Sequence, residues 1–126
     1  MTGYSRAFLL CAIVYAILGM GVGIHMAASN DFTLGMMHAH INLVGWVTMG
    51  LFGLVYAACK GAAAHKLVPL HFWVANIGVI IMAPGIGLIH MGNTEAGEPL
   101  AIAGSLLTIL SMLIFGWIIL RSGKQA

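Results

Sequence analysis

Ala7-Phe-Leu-Leu-Cys-Ala-Ile-Val-Tyr-Ala-Ile-Leu-Gly-Met-Gly-Val-Gly-Ile-His-Met-Ala-Ala28 contains no Asp, Glu, Lys or Arg. Coiled as a helix at about 1.5 Å per residue, such a run is long enough to cross about 30 Å of hydrocarbon. Three further runs of the same kind follow, Met36 to Cys59, Leu70 to Ile89 and Pro99 to Leu120, and none of them carries a formal charge. Hydropathy therefore predicts helices over residues 7-28, 36-59, 70-89 and 99-120. The connections, Ser29 to Gly35, Lys60 to Pro69 and His90 to Glu98, are short and polar, so consecutive helices must run antiparallel. The expected fold is all-α, an integral membrane four-helix bundle, with residues 1-126 forming a single domain.

Composition points the same way. Of the 126 residues, 61% are hydrophobic and only 6% charged, where an average soluble chain is about a quarter charged. Eight charges cannot clothe a water-facing surface of this size; the lipid bilayer is the expected solvent. No basic cluster or basic-aromatic interleaving suggests nucleic acid. Cys11 and Cys59 lack metal-binding spacing and read as reduced packing residues. The first run is read as a permanent helix rather than a cleaved signal, because its apolar stretch is too long and Arg6 alone precedes it as a charge.

The few charges carry topology. With four spans, the N-terminus, the second loop and the C-terminus share one side, and Arg6, Lys60, Lys66, Arg121 and Lys124 all fall there. Asp31, Glu95 and Glu98 fall in the first and third loops on the other side, as exposed loop charge. The positive-inside rule then puts both termini in the cytoplasm and the first and third loops in the periplasm, with a bacterial inner membrane as the expected location.

Six histidines need a reason in a chain this apolar, because an ionisable group within a span is costly. His65 lies in the cytoplasmic loop, and His71, at the start of the third helix, reads as an interfacial anchor. His25, His38, His40 and His90 instead share one level near the outer face, with Met26, Met36, Met37 and Met91 beside them. His38 and His40 are two residues apart, about 200° around a regular helix, so they cannot hold one metal from the same helix. They serve two sites, or one ligates while the other hydrogen-bonds, or both merely bond loop carbonyls. Imidazole suits haem iron, copper and zinc; haem fits apolar helix walls with facing imidazoles, and the methionines keep copper open. Gly19 and Gly23 have the spacing of close helix packing and would equally clear room for a flat cofactor. Pro84 is expected to kink the third helix. No acid-base dyad, nucleophile triad or phosphate loop is visible.

The stretch His38-Ala-His-Ile-Asn-Leu-Val-Gly-Trp46 resembles the catalytic subunit of the haem–copper oxidase and nitric oxide reductase superfamily, and the short four-helix homologues of subunit I. His71-Phe-Trp-Val-Ala-Asn-Ile-Gly78 resembles the third helix of those homologues. The resemblance implies haem b as cofactor, with His40, followed by Asn42, matching an axial ligand, His38 a second, and Trp46 closing the motif; His25 or His90 is the alternative ligand. An H-x-H pair in that family serves two haems from opposite faces of one helix. The family's twelve helices form three groups of four, which implies a homo-oligomer here. A trimeric ring would join His38 of one chain to His40 of the next, while a dimer would hold haem within each protomer. The large enzymes also need a three-histidine copper centre on helices that this sequence lacks, so complete oxygen reductase activity by this chain alone is not expected. The resulting reading is a b-type cytochrome for electron transfer to a redox partner of unknown identity, or for gas sensing. A copper-binding membrane protein and a cofactor-free assembly subunit are the alternatives.

Overall fold

The computed structural model describes residues 3–123, all of whose regular elements are helices. Four helices are long and apolar enough to span a membrane: α1 (Gly3–Ser29), α2 (Gly35–Ala58), α3 (Val68–His90) and α4 (Thr94–Ser122). Each outruns or closely matches its hydropathic segment. The largest difference is at α4, which begins at Thr94, with the Asn93 side chain accepting the Ala96 N–H as an N-cap. Glu95 and Glu98 are therefore exposed residues of the first turns of α4 rather than of a loop. A helical turn, Lys60–Ala63, interrupts the connection between α2 and α3. α3 runs through Pro84 as one helix. Arg6, Lys60, Lys66 and Arg121 gather at one end, where the Arg121 guanidinium stacks 4.4 Å from the Trp117 ring; Lys124 lies outside the described residues. Asp31, Glu95 and Glu98 lie at the opposite, acidic end. There Asp31 accepts the hydroxyl and the backbone N–H of Thr33, which hold its carboxyl below the usual range.

α3 and α4 form the closest pair. A Cβ built on Gly85 would stand 2.5 Å from the Ala101 backbone nitrogen, and one on Gly97 2.5 Å from the Gly85 carbonyl oxygen. Lipid supplies no hydrophobic force between helices, so dispersion between closely approached backbones takes its place. The exposed large side chains, such as Ile17, Ile24, Leu106, Leu113 and Leu120, face outward, as a lipid-solvated protein allows.

The basic end holds an aromatic core of Phe8, Phe52, Tyr56, Phe72 and Phe115 from all four helices. His71 sits at its centre with no exposed surface, stacked on Phe115 at 5.4 Å. The expectation of an interfacial anchor is thus corrected: the ring is turned inward, where the Tyr56 hydroxyl meets its Nδ1 at 2.7 Å. Its Nε2 is the buried side-chain polar atom left without a partner among the described residues. A second buried pair ties α1 to α3, with Tyr15 donating to Asn76 Oδ1 at 2.7 Å and Asn76 donating to the Phe72 carbonyl at 2.8 Å.

α2 is not a regular helix. Gly35–His40 is α, Ile41–Thr48 is π and Met49–Ala58 is α again. The buried residues Ile41, Gly45 and Met49 are spaced four apart. On a regular helix each such step drifts by about 40°; wider π turns absorb the drift and keep the three facing the core. Gly45 must be small there, because its Cβ would lie 2.7 Å from the Tyr15 Cβ.

Two outcomes test this packing. Gly85→Val should lower stability by about 1–3 kcal/mol through overpacking, whereas Gly116→Ala, with open space around it, should be nearly neutral; thermal unfolding in detergent compares them. Tyr56→Phe should cost about 1–3 kcal/mol by stranding the His71 ring, and combining it with His71→Leu should recover most of that loss, since replacing both buried partners is cheaper than removing one.

Candidate cofactor-binding site

The N-terminal α segment of α2 carries both histidines of the H-x-H pair, and their rings make separate contacts. His38 turns toward α1, where its Nδ1 lies 2.7 Å from the Gly19 carbonyl oxygen. A carbonyl can only accept, so this nitrogen bears the proton and Nε2 is the basic atom of the neutral ring. The Asn42 amide nitrogen, one turn further along α2, lies against the same ring, 3.2 Å from Nε2 and 3.5 Å from Nδ1. Gly19 and Gly23 form the notch that receives the two side chains: a Cβ on Gly23 would stand 2.9 Å from His38 Cε1, and one on Gly19 would run into Asn42. The paired glycines thus accommodate polar side chains of the neighbouring helix rather than its backbone.

His40 follows the same rule with a different result. Its Nδ1 lies 2.8 Å from the Met36 carbonyl of its own helix, so Nδ1–H donates and Nε2 keeps its lone pair. This is the arrangement in which a backbone carbonyl fixes ring orientation and raises the basicity of the other nitrogen for a metal. The ring is half-buried, and its neighbours along the helix, Met36 and Leu43, are 50% and 62% exposed. Trp46, 39% exposed, lies further along α2 beside Gly50.

The remaining candidates lie on other helices. His25, near the end of α1, is exposed and close enough to Asp31 to be felt by its carboxylate. His90, the last residue of α3, is exposed as well. No three His, Cys, Asp or Glu side chains come together to hold a metal ion among the described residues. The four outer histidines therefore do not close into one cage within a single chain. Cys11 and Cys59 are free thiols. An apolar groove of about 500 Å³ between α1 and α3, over Tyr15 and Asn76, faces the lipid side and has no histidine in its lining.

The donor set can be weighed against a haem. His40 fits an axial position: an oriented imidazole with an uncommitted basic nitrogen, among apolar side chains. His38 sits in the α1 notch, with its Nδ1 on the Gly19 carbonyl and the Asn42 amide against its ring. The pair Tyr56–His71 and the pair Tyr15–Asn76 are polar features that hydropathy does not reveal, since each joins residues from different helices.

Comparison with known proteins places part of the chain. It is 39% identical over 58 residues to the bacteroid cytochrome c oxidase subunit 1 homologue of Bradyrhizobium diazoefficiens, covering 41% of this chain and 10% of that protein. It is 37% identical over 60 residues to cytochrome c oxidase subunit 1 of Rhodobacter capsulatus, covering 43% of this chain and 11% of that protein. The chain thus spans about a tenth of the length of these curated relatives. No family model matches it, and no solved structure does. Four apolar spans and two partial matches make this an integral membrane protein related, over about two-fifths of its length, to subunit 1 of the haem–copper oxidases.

Proposed function

We propose that this protein is a membrane b-type cytochrome that binds haem b through the histidines of α2, with His40 as an axial ligand, and passes electrons between partners. The observation that carries the reading is the hydrogen bond from His40 Nδ1–H to the Met36 carbonyl, which leaves Nε2 basic and held in one direction on an apolar face. The relationship to oxidase subunit 1 supports a haem-binding, redox-related role.

Bound in this way, haem iron would cycle between its ferric and ferrous states. The chain's own residues do the rest. The Met36 carbonyl fixes the His40 tautomer and orients its ring. His38 and Asn42, locked into the Gly19–Gly23 notch, hold the N-terminal end of α2 against α1. The π segment that begins immediately after His40 sets the rotation of the rest of α2 relative to that end. With two imidazoles on the iron no position would be left for oxygen, which favours electron transfer over oxygen reduction. The acidic end carrying the histidines is assigned to the periplasm and the basic end to the cytoplasm of a bacterial inner membrane.

Protein purified from cells with ample haem should show a sharp reduced α band in the optical spectrum, the mark of low-spin bis-imidazole iron. His40→Ala should lower haem content more than tenfold, and the double variant His38→Ala with His40→Ala should leave none. A featureless spectrum from the wild-type protein, or full haem in the double variant, would overturn the reading.

A further inference from the structure

We infer that the groove between α1 and α3 holds one acyl chain of an anionic phospholipid, whose phosphate is bound by Arg6 at the basic end of the bundle. This site is separate from the histidines of α2 and does not rest on the haem reading.

The groove is an open cleft of about 500 Å³, walled by Leu10, Val14 and Leu18 of α1 and by Trp73 and Ile80 of α3. The three α1 residues are four apart and so form one stripe along the helix. All five wall residues are more than half exposed. Tyr15 and Asn76 lie beneath them and are buried, with the Tyr15 hydroxyl donating to Asn76 and the Asn76 amide donating to the Phe72 carbonyl. The wall is therefore hydrocarbon, which suits an acyl chain and gives little to hold the polar groups of a ring-headed lipid. From Leu10 to Leu18 the stripe runs about 12 Å at about 1.5 Å per residue. The uncharged run of α1 begins at Ala7, so the stripe covers the half of the roughly 30 Å of hydrocarbon that is nearer the basic end. An acyl chain of that leaflet lies at this depth and in this direction.

Charge at the mouth of the groove selects the headgroup. Arg6 immediately precedes the uncharged run, one turn before Leu10 on the same face of α1, and it is exposed. The Tyr4 ring meets Phe72 edge-on at 5.4 Å, so the first turn of α1 abuts α3 at the basic end of the groove. Lys66 is exposed as well, two residues before α3 begins. The chain offers these cations no carboxylate side chain, because Asp31, Glu95 and Glu98 all lie at the opposite end. A guanidinium at the membrane interface, without an acidic neighbour and one turn from an apolar groove, complements a phosphodiester followed by its acyl chain.

The test uses the full chain in vesicles, with Trp46→Phe and Trp117→Phe leaving Trp73 as the remaining one of three tryptophans. Phosphatidylcholine brominated on its acyl chains quenches an indole that it touches, and unbrominated phosphatidylglycerol of the same chain length is titrated against it. Relief of quenching beyond that given by unbrominated phosphatidylcholine measures preference for the anionic lipid. The expected preference is about fivefold, the factor that one basic residue supplies near an anionic membrane surface. Arg6→Gln should bring it to about one, and Arg6→Lys should keep most of it. Lys60→Gln, whose helical turn packs on α2 and α4 instead, should leave it unchanged. Circular dichroism should show the same helicity for every variant. Equal affinity for the two lipids before any change at Arg6, or a preference that survives Arg6→Gln, would overturn the site. So would a Trp73 that brominated chains do not quench, the result expected if a second copy or another membrane protein covered the groove.

Discussion

Hydrocarbon offers no hydrogen bonds, so a polar group carried into it is costly unless it finds a partner inside the protein. That requirement organises this molecule more than any single packing contact. Tyr15 meets Asn76 and ties α1 to α3; Tyr56 meets His71 and ties α2 to α3; His38 meets Gly19 and Asn42 and ties α2 to α1. Each pair is a specific joint between helices that otherwise touch through interchangeable apolar side chains. The aromatic cluster around His71 and the glycine contacts of α3 with α4 fill the space between these joints.

The same requirement explains the chemistry of α2. A histidine at membrane depth that satisfies one ring nitrogen on a carbonyl becomes oriented, and its second nitrogen is left basic. His38 is held between the Gly19 carbonyl and the Asn42 amide in the notch, whereas His40 bonds only its own helix among the described residues. Two residues of the same type, two positions apart, are thereby divided into a structural group and a candidate ligand. The division comes from the rotation of α2 against α1, which the Gly19–Gly23 notch and the π turns fix together.

Sequence and structure part company where a residue's partners lie on another helix. His71 reads from the sequence as an anchor because it opens an apolar run near the basic end; its burial follows from Phe8, Phe52 and Phe115 converging from three other helices. The start of α4 is misjudged for a different reason. Hydropathy marks where lipid begins, while Asn93 and its cap decide where the helix begins, and a polar first turn outside the bilayer is invisible to hydropathy. The Gly85–Gly97 approach leaves no local signal either, since glycine in a membrane helix is common and only the neighbour shows which ones are required.

By itself the sequence determined the number of spanning helices, their antiparallel order, the segregation of charge and the level at which four histidines lie. All of these depend on the length of apolar runs and the position of charges along the chain, which the thickness of the bilayer converts directly into structure. The pitch of a helix further determined that His38 and His40 could not share one ligand position. Only the tertiary structure decided which ring turns inward, which nitrogen stays basic, that α2 widens into a π segment, and that His71 is core. Those outcomes depend on how each helix is rotated about its own axis, and rotation is set by contacts between residues far apart in sequence, such as Gly23 with His38 and Gly45 with Tyr15.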